Sequence, residues 1–63
     1  MTTKEILKKL LADGWYELKG RKTGHRQFQH DLKPGKVTLP EHSGDVPLFT
    51  LKSIEKQAGI KLR

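Results

Sequence analysis

Two apolar stripes with helical spacing lie near opposite ends of the chain, and they constrain its fold more than any other feature. Residues three and four positions apart lie on the same side of an α-helix, so each stripe predicts a helix with one face against a core. In chain order, the stripe positions are Ile6, Leu7, Leu10, Leu11, Leu51, Ile54 and Ala58.

Residues that favour helix ends flank both stripes. Thr2 and Glu5 have the spacing of a capping box, and Gly14 is placed to end the first helix. Thr50 is a good N-cap for the second helix, and Gly59 occupies the position past its end. The last three residues, 61–63, are expected to form a frayed basic tail.

Short segments with the composition of β-strands lie between the predicted helices. They are residues 15–19, residues 25 to about 31, and residues 36–39. Pro34-Gly35 predicts a type II turn, and Pro40 is expected to end the pairing of the third strand. The order α-β-β-β-α predicts an α+β fold in which both helices cover one face of a three-stranded antiparallel sheet. We expect residues 1–63 to form a single domain.

The alternation of side chains places His25 on the face of the sheet that carries no helix. Phe28 is the large apolar residue of the second strand, so its side chain should meet the core. His25 lies three residues away and therefore projects from the opposite, open face. The other residues expected on this open face are Gln27, Gln29, Lys36 and Thr38.

Arg26 and His30 share the parity of Phe28. We interpret His30 as structural or as lying at a strand edge. Arg26 stands at the start of the strand, from which its side chain can still swing outward. Trp15 directly follows the end of the first helix, and we interpret it as a core anchor rather than as a platform for base stacking.

A basic loop leads into His25. Residues 19–28 contain four cations, two glycines and one histidine, with no acidic residue. Cations and backbone N–H groups gather an anion, and an imidazole can move a proton near neutral pH, so this stretch fits a phosphate-rich ligand. The candidate RNA- or phosphate-binding residues are Arg21, Lys22, Thr23, Gly24, Arg26, Gln27, Gln29 and Lys36.

The charge balance favours an anionic partner, most often a nucleic acid. Thirteen Lys and Arg residues against seven Asp and Glu residues give a net charge of +6. The absence of cysteine excludes disulfides and Cys-ligated zinc, and it suits a reducing cytoplasm. No apolar run approaches the ~20 residues of a membrane span. His25, His30 and His42 lack regular ligand spacing, so we expect neither a metal nor another cofactor.

Metal-free RNA cleavage demands little from a protein of this kind. The RNA supplies its own nucleophile, the 2′-hydroxyl, and the protein supplies a proton donor or acceptor, cations and in-line geometry. His25 with Arg21, Lys22 and Arg26 meets these needs. On chemistry alone, however, one histidine in a basic loop favours RNA binding without catalysis.

Four segments, in their order and spacing, resemble the HicA family of small bacterial toxins, which act as mRNA interferases. The segments are the helix end at residues 14–15, the loop and strand at 24–28, the turn and strand at 34–40, and the helix at 50–60. The resemblance covers nearly the whole chain. It implies a fold like that of double-stranded-RNA-binding domains and a bacterial, cytoplasmic protein.

The resemblance also implies an activity and a partner. The activity is ribosome-independent cleavage of mRNA without metal, and the family's essential histidine falls on His25. The usual Gly-Ser-His triplet of the family is replaced here by Thr23-Gly24-His25. The implied partner is a HicB-type antitoxin, which commonly carries a DNA-binding domain, so any contact with DNA would be indirect.

Two alternatives to a toxin nuclease stay open at this stage. The first is a noncatalytic double-stranded RNA-binding module, which would recognise shape over about 16 base pairs. The second is a protein-binding domain whose basic face docks an acidic partner. The residues also leave open whether His25 acts as a general acid or as a general base.

Overall fold

A computed structural model describes residues 1–18, 25–40 and 43–63. Two helices flank a sheet, in the order α1 (Thr3–Ala12), β1 (Tyr16–Glu17), β2 (His25–Gln29), β3 (Val37–Pro40) and α2 (Leu48–Ala58). The strand order in the sheet is β1-β2-β3, and both neighbouring pairs are antiparallel. The predicted α-β-β-β-α architecture is confirmed.

The core lies between one face of the sheet and both helices. The register places Phe28 opposite Val37 and Arg26 opposite Leu39, so these residues share the helix-bearing face. The buried core residues are Ile6, Leu10, Trp15, Phe28, Val37, Leu39, Val46, Leu51, Ile54, Ala58 and Leu62. The stripe on α1 is narrower than predicted, because Leu11 is half exposed and Leu7 is only partly buried.

The capping box at the start of α1 is confirmed. The Glu5 N–H donates to Thr2 Oγ1 at 3.2 Å, and the Glu5 carboxylate accepts from the Thr2 N–H at 2.8 Å. The second bond holds the pKa of Glu5 below its ordinary value, because it stabilises the ionised carboxylate. At the other end, Asp13 caps the helix and Gly14 follows with a φ of 101°. Gly14 therefore ends α1 as predicted.

The predicted start of α2 is wrong, since Pro47 and not Thr50 is the N-cap. The Pro47 carbonyl accepts from the N–H groups of Thr50 and Leu51, both at 3.0 Å. Pro47 needs no N–H of its own at this position, and no side chain caps the helix. The predicted end is confirmed, because Gly59 adopts the left-handed conformation with a φ of 66°.

One further expectation, for the C-terminal tail, is wrong. The C-terminal residues are held rather than frayed, because the Glu55 carboxylate accepts from the Leu62 N–H at 2.8 Å and from the Arg63 guanidinium at 3.1 Å. β3 ends at Pro40, as expected, and Pro40 is itself the last paired residue of the strand, opposite His25. β3 is an edge strand, and an edge position tolerates a residue without an N–H.

Candidate functional site

His25 is an exposed residue at the first position of β2, directly opposite Pro40. Within the described part of the chain, its ring takes part in no hydrogen bond or ion pair. The imidazole is therefore accessible and is not used to hold these parts of the fold together. This agrees with the parity argument, which placed His25 away from the core.

His25 lines a groove of about 270 Å³ between the sheet and one side of α2. The sheet contributes His25, Thr38 and Pro40. The helix contributes Phe49, Thr50, Ser53, Ile54 and Gln57. None of these lining residues, all from the described part of the chain, carries a carboxylate that would repel an anion. The predicted open face is thus bounded by α2 where it passes His25.

A side-chain clamp closes the free edge of β3 beside this groove. The Thr38 N–H donates to Gln57 Oε1 at 2.9 Å, and Gln57 Nε2 donates to Ser53 Oγ at 3.1 Å. An unpaired strand edge is a template for pairing with another chain, and here α2 satisfies part of it. The clamp also fixes α2 against the sheet and so fixes the width of the groove.

Arg26 lies on the other face of the sheet. Its Nε and Nη2 donate to the two carboxylate oxygens of Glu17, each at 2.8 Å. Glu17 lies opposite Phe28, so this pair sits at the margin of the helix-bearing face. The Arg26 guanidinium holds the pKa of Glu17 below its ordinary value. Reaching a phosphate beside His25 would require Arg26 to leave this pair.

The other predicted binding residues fall into two groups. Gln27 lies opposite Thr38 and shares the face of His25, as does Gln29, which lies opposite Tyr16. Lys36 is exposed directly before β3. The residues outside the described part of the chain are Arg21, Lys22, Thr23 and Gly24.

His30, in contrast, is fully engaged, which confirms its interpretation as structural. Its Nδ1 accepts from the N–H groups of Leu32 and Lys33, at 2.9 and 3.2 Å. Its Nε2 lies 2.7 Å from the Asp13 carbonyl oxygen, which can only accept, so Nε2 carries the proton. The ring also meets Trp15 edge-on, with centroids 5.1 Å apart.

Asp13 organises a cluster around this histidine. Its carboxylate accepts from Trp15 Nε1 at 3.1 Å and from Lys33 Nζ at 2.6 Å. Lys33 Nζ also donates to the Ala58 carbonyl at 3.1 Å, which joins the ends of both helices. The Lys33 hydrogen bond holds the pKa of Asp13 below its ordinary value. We call Asp13, Trp15, His30 and Lys33 the Asp13 cluster; the predicted role of Trp15 as a core anchor is confirmed.

Three groove residues were not predicted from the sequence, namely Phe49, Ser53 and Gln57. Phe49 is 77% exposed although it lies in α2. One signal was available, because Phe49 falls outside the apolar stripe of Leu51, Ile54 and Ala58. An aromatic residue away from the apolar face of a helix points either to solvent or to a ligand.

The described residues show no cluster suited to a metal and no membrane helix. No three His, Cys, Asp or Glu side chains among them come together in a way that could hold a metal ion. Neither helix in the described part of the chain has the length and apolar sequence that a membrane crossing requires.

The fold and the site define a class: a small basic α-β-β-β-α protein with an accessible histidine in a groove whose described lining residues include no carboxylate. The family model for the HicA toxin of bacterial toxin–antitoxin systems matches residues 3–60. The chain therefore belongs to the HicA toxin family, and membership implies an antitoxin partner. A search of curated proteins gave no match.

Proposed function

We propose that this HicA-family toxin is a metal-independent endoribonuclease that cleaves mRNA, with His25 as its catalytic residue. The observation that carries the proposal is the position of His25: exposed, without a hydrogen bond among the described residues, and in a groove whose described lining residues include no carboxylate. An imidazole that is accessible and not held by the fold can exchange protons with a substrate.

The reaction is a transesterification within the RNA. The 2′-oxygen attacks the adjacent phosphorus, the bond to the 5′-oxygen of the next nucleotide breaks, and the products are a 2′,3′-cyclic phosphate and a 5′-hydroxyl. One proton leaves the 2′-hydroxyl and one joins the departing 5′-oxygen. His25 performs one of these two transfers, as general base or as general acid.

The neighbouring cations hold the phosphate during this step. The residues directly before His25 in the sequence stabilise the negative charge that develops on the phosphate oxygens. They are the cations Arg21 and Lys22 and the backbone N–H groups of Thr23 and Gly24. We assign Arg26 a smaller role in binding the phosphate, because its guanidinium is already paired with Glu17.

RNA flanking the reacting phosphate lies along the open face of the sheet. Gln27 and Gln29 share that face with His25, and Lys36 adds a cation directly before β3. These side chains can donate hydrogen bonds to phosphates and sugars, contacts that position a nucleic acid rather than read its sequence.

A HicB-type antitoxin neutralises the toxin by covering this basic surface. The net charge of +6 favours an antitoxin with an acidic face. A partner that binds the folded chain in preference to the unfolded one would also stabilise this small toxin by mass action. Contact with DNA is made by the antitoxin and not by this chain.

The test is cleavage of a long single-stranded RNA by the purified chain in EDTA, with His25→Ala prepared in parallel. We expect fragments with 2′,3′-cyclic phosphate ends from the wild type and none from the variant. The circular dichroism of the two proteins should be the same, because His25 is exposed. Equal cleavage by both proteins would contradict the catalytic assignment, and RNA binding without cleavage would mark a noncatalytic module.

A further inference from the structure

Phe49 is an aromatic residue that the fold leaves in solvent. Its side chain is 77% exposed at the second position of α2, next to Leu48, which is 53% exposed. Burial of aromatic area is a large favourable contribution in a chain this small. The exposed ring contributes little of that stabilisation, and its position in the groove beside His25 indicates a role in binding instead.

Phe49 and His25 line the same groove from opposite sides. Its volume of about 270 Å³ is slightly below the roughly 300–1,000 Å³ of small-molecule sites, which suits one base rather than a whole large ligand. Pro40 and Ile54 make its walls partly apolar, and none of the lining residues that the structure describes is acidic. A flat, uncharged group attached to a phosphate fits these walls.

We propose that Phe49 is a positioning residue whose ring stacks against the RNA base next to the phosphate at which His25 acts. The inference rests on the proposed nuclease function. Every base has a π-face, so stacking on an aromatic side chain holds single-stranded RNA with little dependence on sequence. Fixing that base restrains its ribose, which favours the in-line approach of the 2′-oxygen to phosphorus.

The ring is set on a rigid element, as a positioning role requires. The first turn of α2 is fixed by the two hydrogen bonds to the Pro47 carbonyl. Farther along, the Gln57 clamp holds the helix to the edge of β3. The separation between Phe49 and His25 is therefore set by the fold rather than by a mobile loop.

The first experiment measures kcat/KM for a short RNA with Phe49→Ala, Phe49→Leu and Phe49→Trp. Stacking is worth about 1–3 kcal/mol per base, so Phe49→Ala should lower kcat/KM about 5- to 150-fold. Phe49→Trp should retain activity, whereas Phe49→Leu, which keeps apolar bulk without a π-face, should not. The matched control is Leu32→Ala, which removes an 89% exposed side chain that does not line the groove and should change nothing.

The second experiment measures RNA affinity without cleavage. The RNA carries 2′-deoxyribose at the reacting nucleotide, and each base is removed in turn. If Phe49 stacks on one base, Phe49→Ala and removal of that base should cost less together than the sum of their separate effects. Additive losses at every position would overturn the stacking assignment.

The two proposals fail in different ways. Cleavage that depends on His25 but not on Phe49 would overturn the inference and leave the proposed function intact. RNA binding that couples Phe49 to one base, without cleavage, would overturn the proposed function and leave Phe49 as a stacking contact with no role in positioning for cleavage. Unchanged RNA affinity and kcat/KM in Phe49→Ala, together with weaker antitoxin binding, would show that the ring is a protein contact and would overturn the inference.

Discussion

His25 and His30 lie near opposite ends of the same strand, yet their surroundings differ in every respect. His30 uses both ring nitrogens in hydrogen bonds and packs edge-on against Trp15. His25 is exposed and lines a groove, with no hydrogen bond to the rest of the described chain. A side chain whose bonding capacity is filled contributes to stability, whereas one whose capacity is unfilled is available to a substrate.

The largest expected effect separates the two histidines by activity. Loss of a general acid or base typically costs 10²- to 10⁴-fold in rate, so His25→Ala should lower kcat for RNA cleavage by about that factor. The free energy of unfolding, measured by urea titration, should stay within about 0.5 kcal/mol of the wild-type value, as for other exposed substitutions. A variant that lost stability along with activity would place His25 with His30 as a structural residue.

The next effect comes from the close contact that Gly14 makes with His30. A Cβ at Gly14 would lie 2.8 Å from His30 Nε2, and the φ of 101° is itself unfavourable for other residues. The conformational strain costs about 1–2 kcal/mol and overpacking about 1–3 kcal/mol, so Gly14→Ala should destabilise the chain by about 2–5 kcal/mol.

Gly35→Ala is the matched control for that steric contact. Gly35 also has a positive φ, of 81°, but nothing lies within 4 Å of its added Cβ. Gly35→Ala should lower the free energy of unfolding only by the conformational strain, about 1–2 kcal/mol, as measured by urea titration. Equal losses in the two variants would show that the approach to His30 contributes nothing.

His30→Ala should give the opposite pattern to His25→Ala. It removes the acceptor for the Leu32 and Lys33 N–H groups and the donor to the Asp13 carbonyl. These partners are partly buried or near the surface, so we expect a loss of about 1–3 kcal/mol in free energy of unfolding. Cleavage per folded molecule should persist, and its abolition in fully folded protein would assign His30 a role in the reaction.

The main elements of the fold could be predicted because they depend on local pattern. Apolar spacing gave both helices, Thr2 and Glu5 gave the start of α1, and parity separated His25 from Phe28. The start of α2 could not be predicted in the same way. At the start of α2 the hydrogen bonds are accepted by the backbone carbonyl of Pro47. Proline has no side chain that could cap a helix, so the sequence carries no capping signal at this position.

The candidate site was only half predictable, for a related reason. The accessibility of His25 follows from alternation along one strand, but the groove depends on where α2 lies relative to the edge of β3. That placement is fixed by a contact between Thr38 and Gln57, which are far apart in the chain. The pairing of Arg26 with Glu17 likewise requires the register of β1 on β2.

The smallest expected effect concerns how the Asp13 cluster responds to acid. Lys33 lowers the pKa of Asp13 in the folded state, so the unfolded chain binds more protons as the pH falls. The stabilisation is fully present above the ordinary Asp13 pKa of 3.8 and is lost as the pH falls through the lower, folded pKa. Glu5, Glu17 and Glu55 also have lowered pKa values, so a comparison of variants is needed to isolate Asp13.

Lys33→Met isolates that contribution, with Lys52→Met as the control for loss of an exposed lysine. The Tm of Lys33→Met should fall below that of the wild type near pH 7, by less than in His30→Ala, because the Lys33–Asp13 pair is partly exposed. This difference in Tm should begin to shrink below pH 3.8, where Asp13 of the unfolded chain becomes protonated, and should be smallest below the lower, folded pKa, where the pair itself is lost in the wild type. The Tm difference for Lys52→Met should not follow the titration of Asp13. If the Lys33→Met difference were constant with pH, Lys33 would act through the Ala58 carbonyl and through packing, and the ion pair would add nothing to the stability of the cluster.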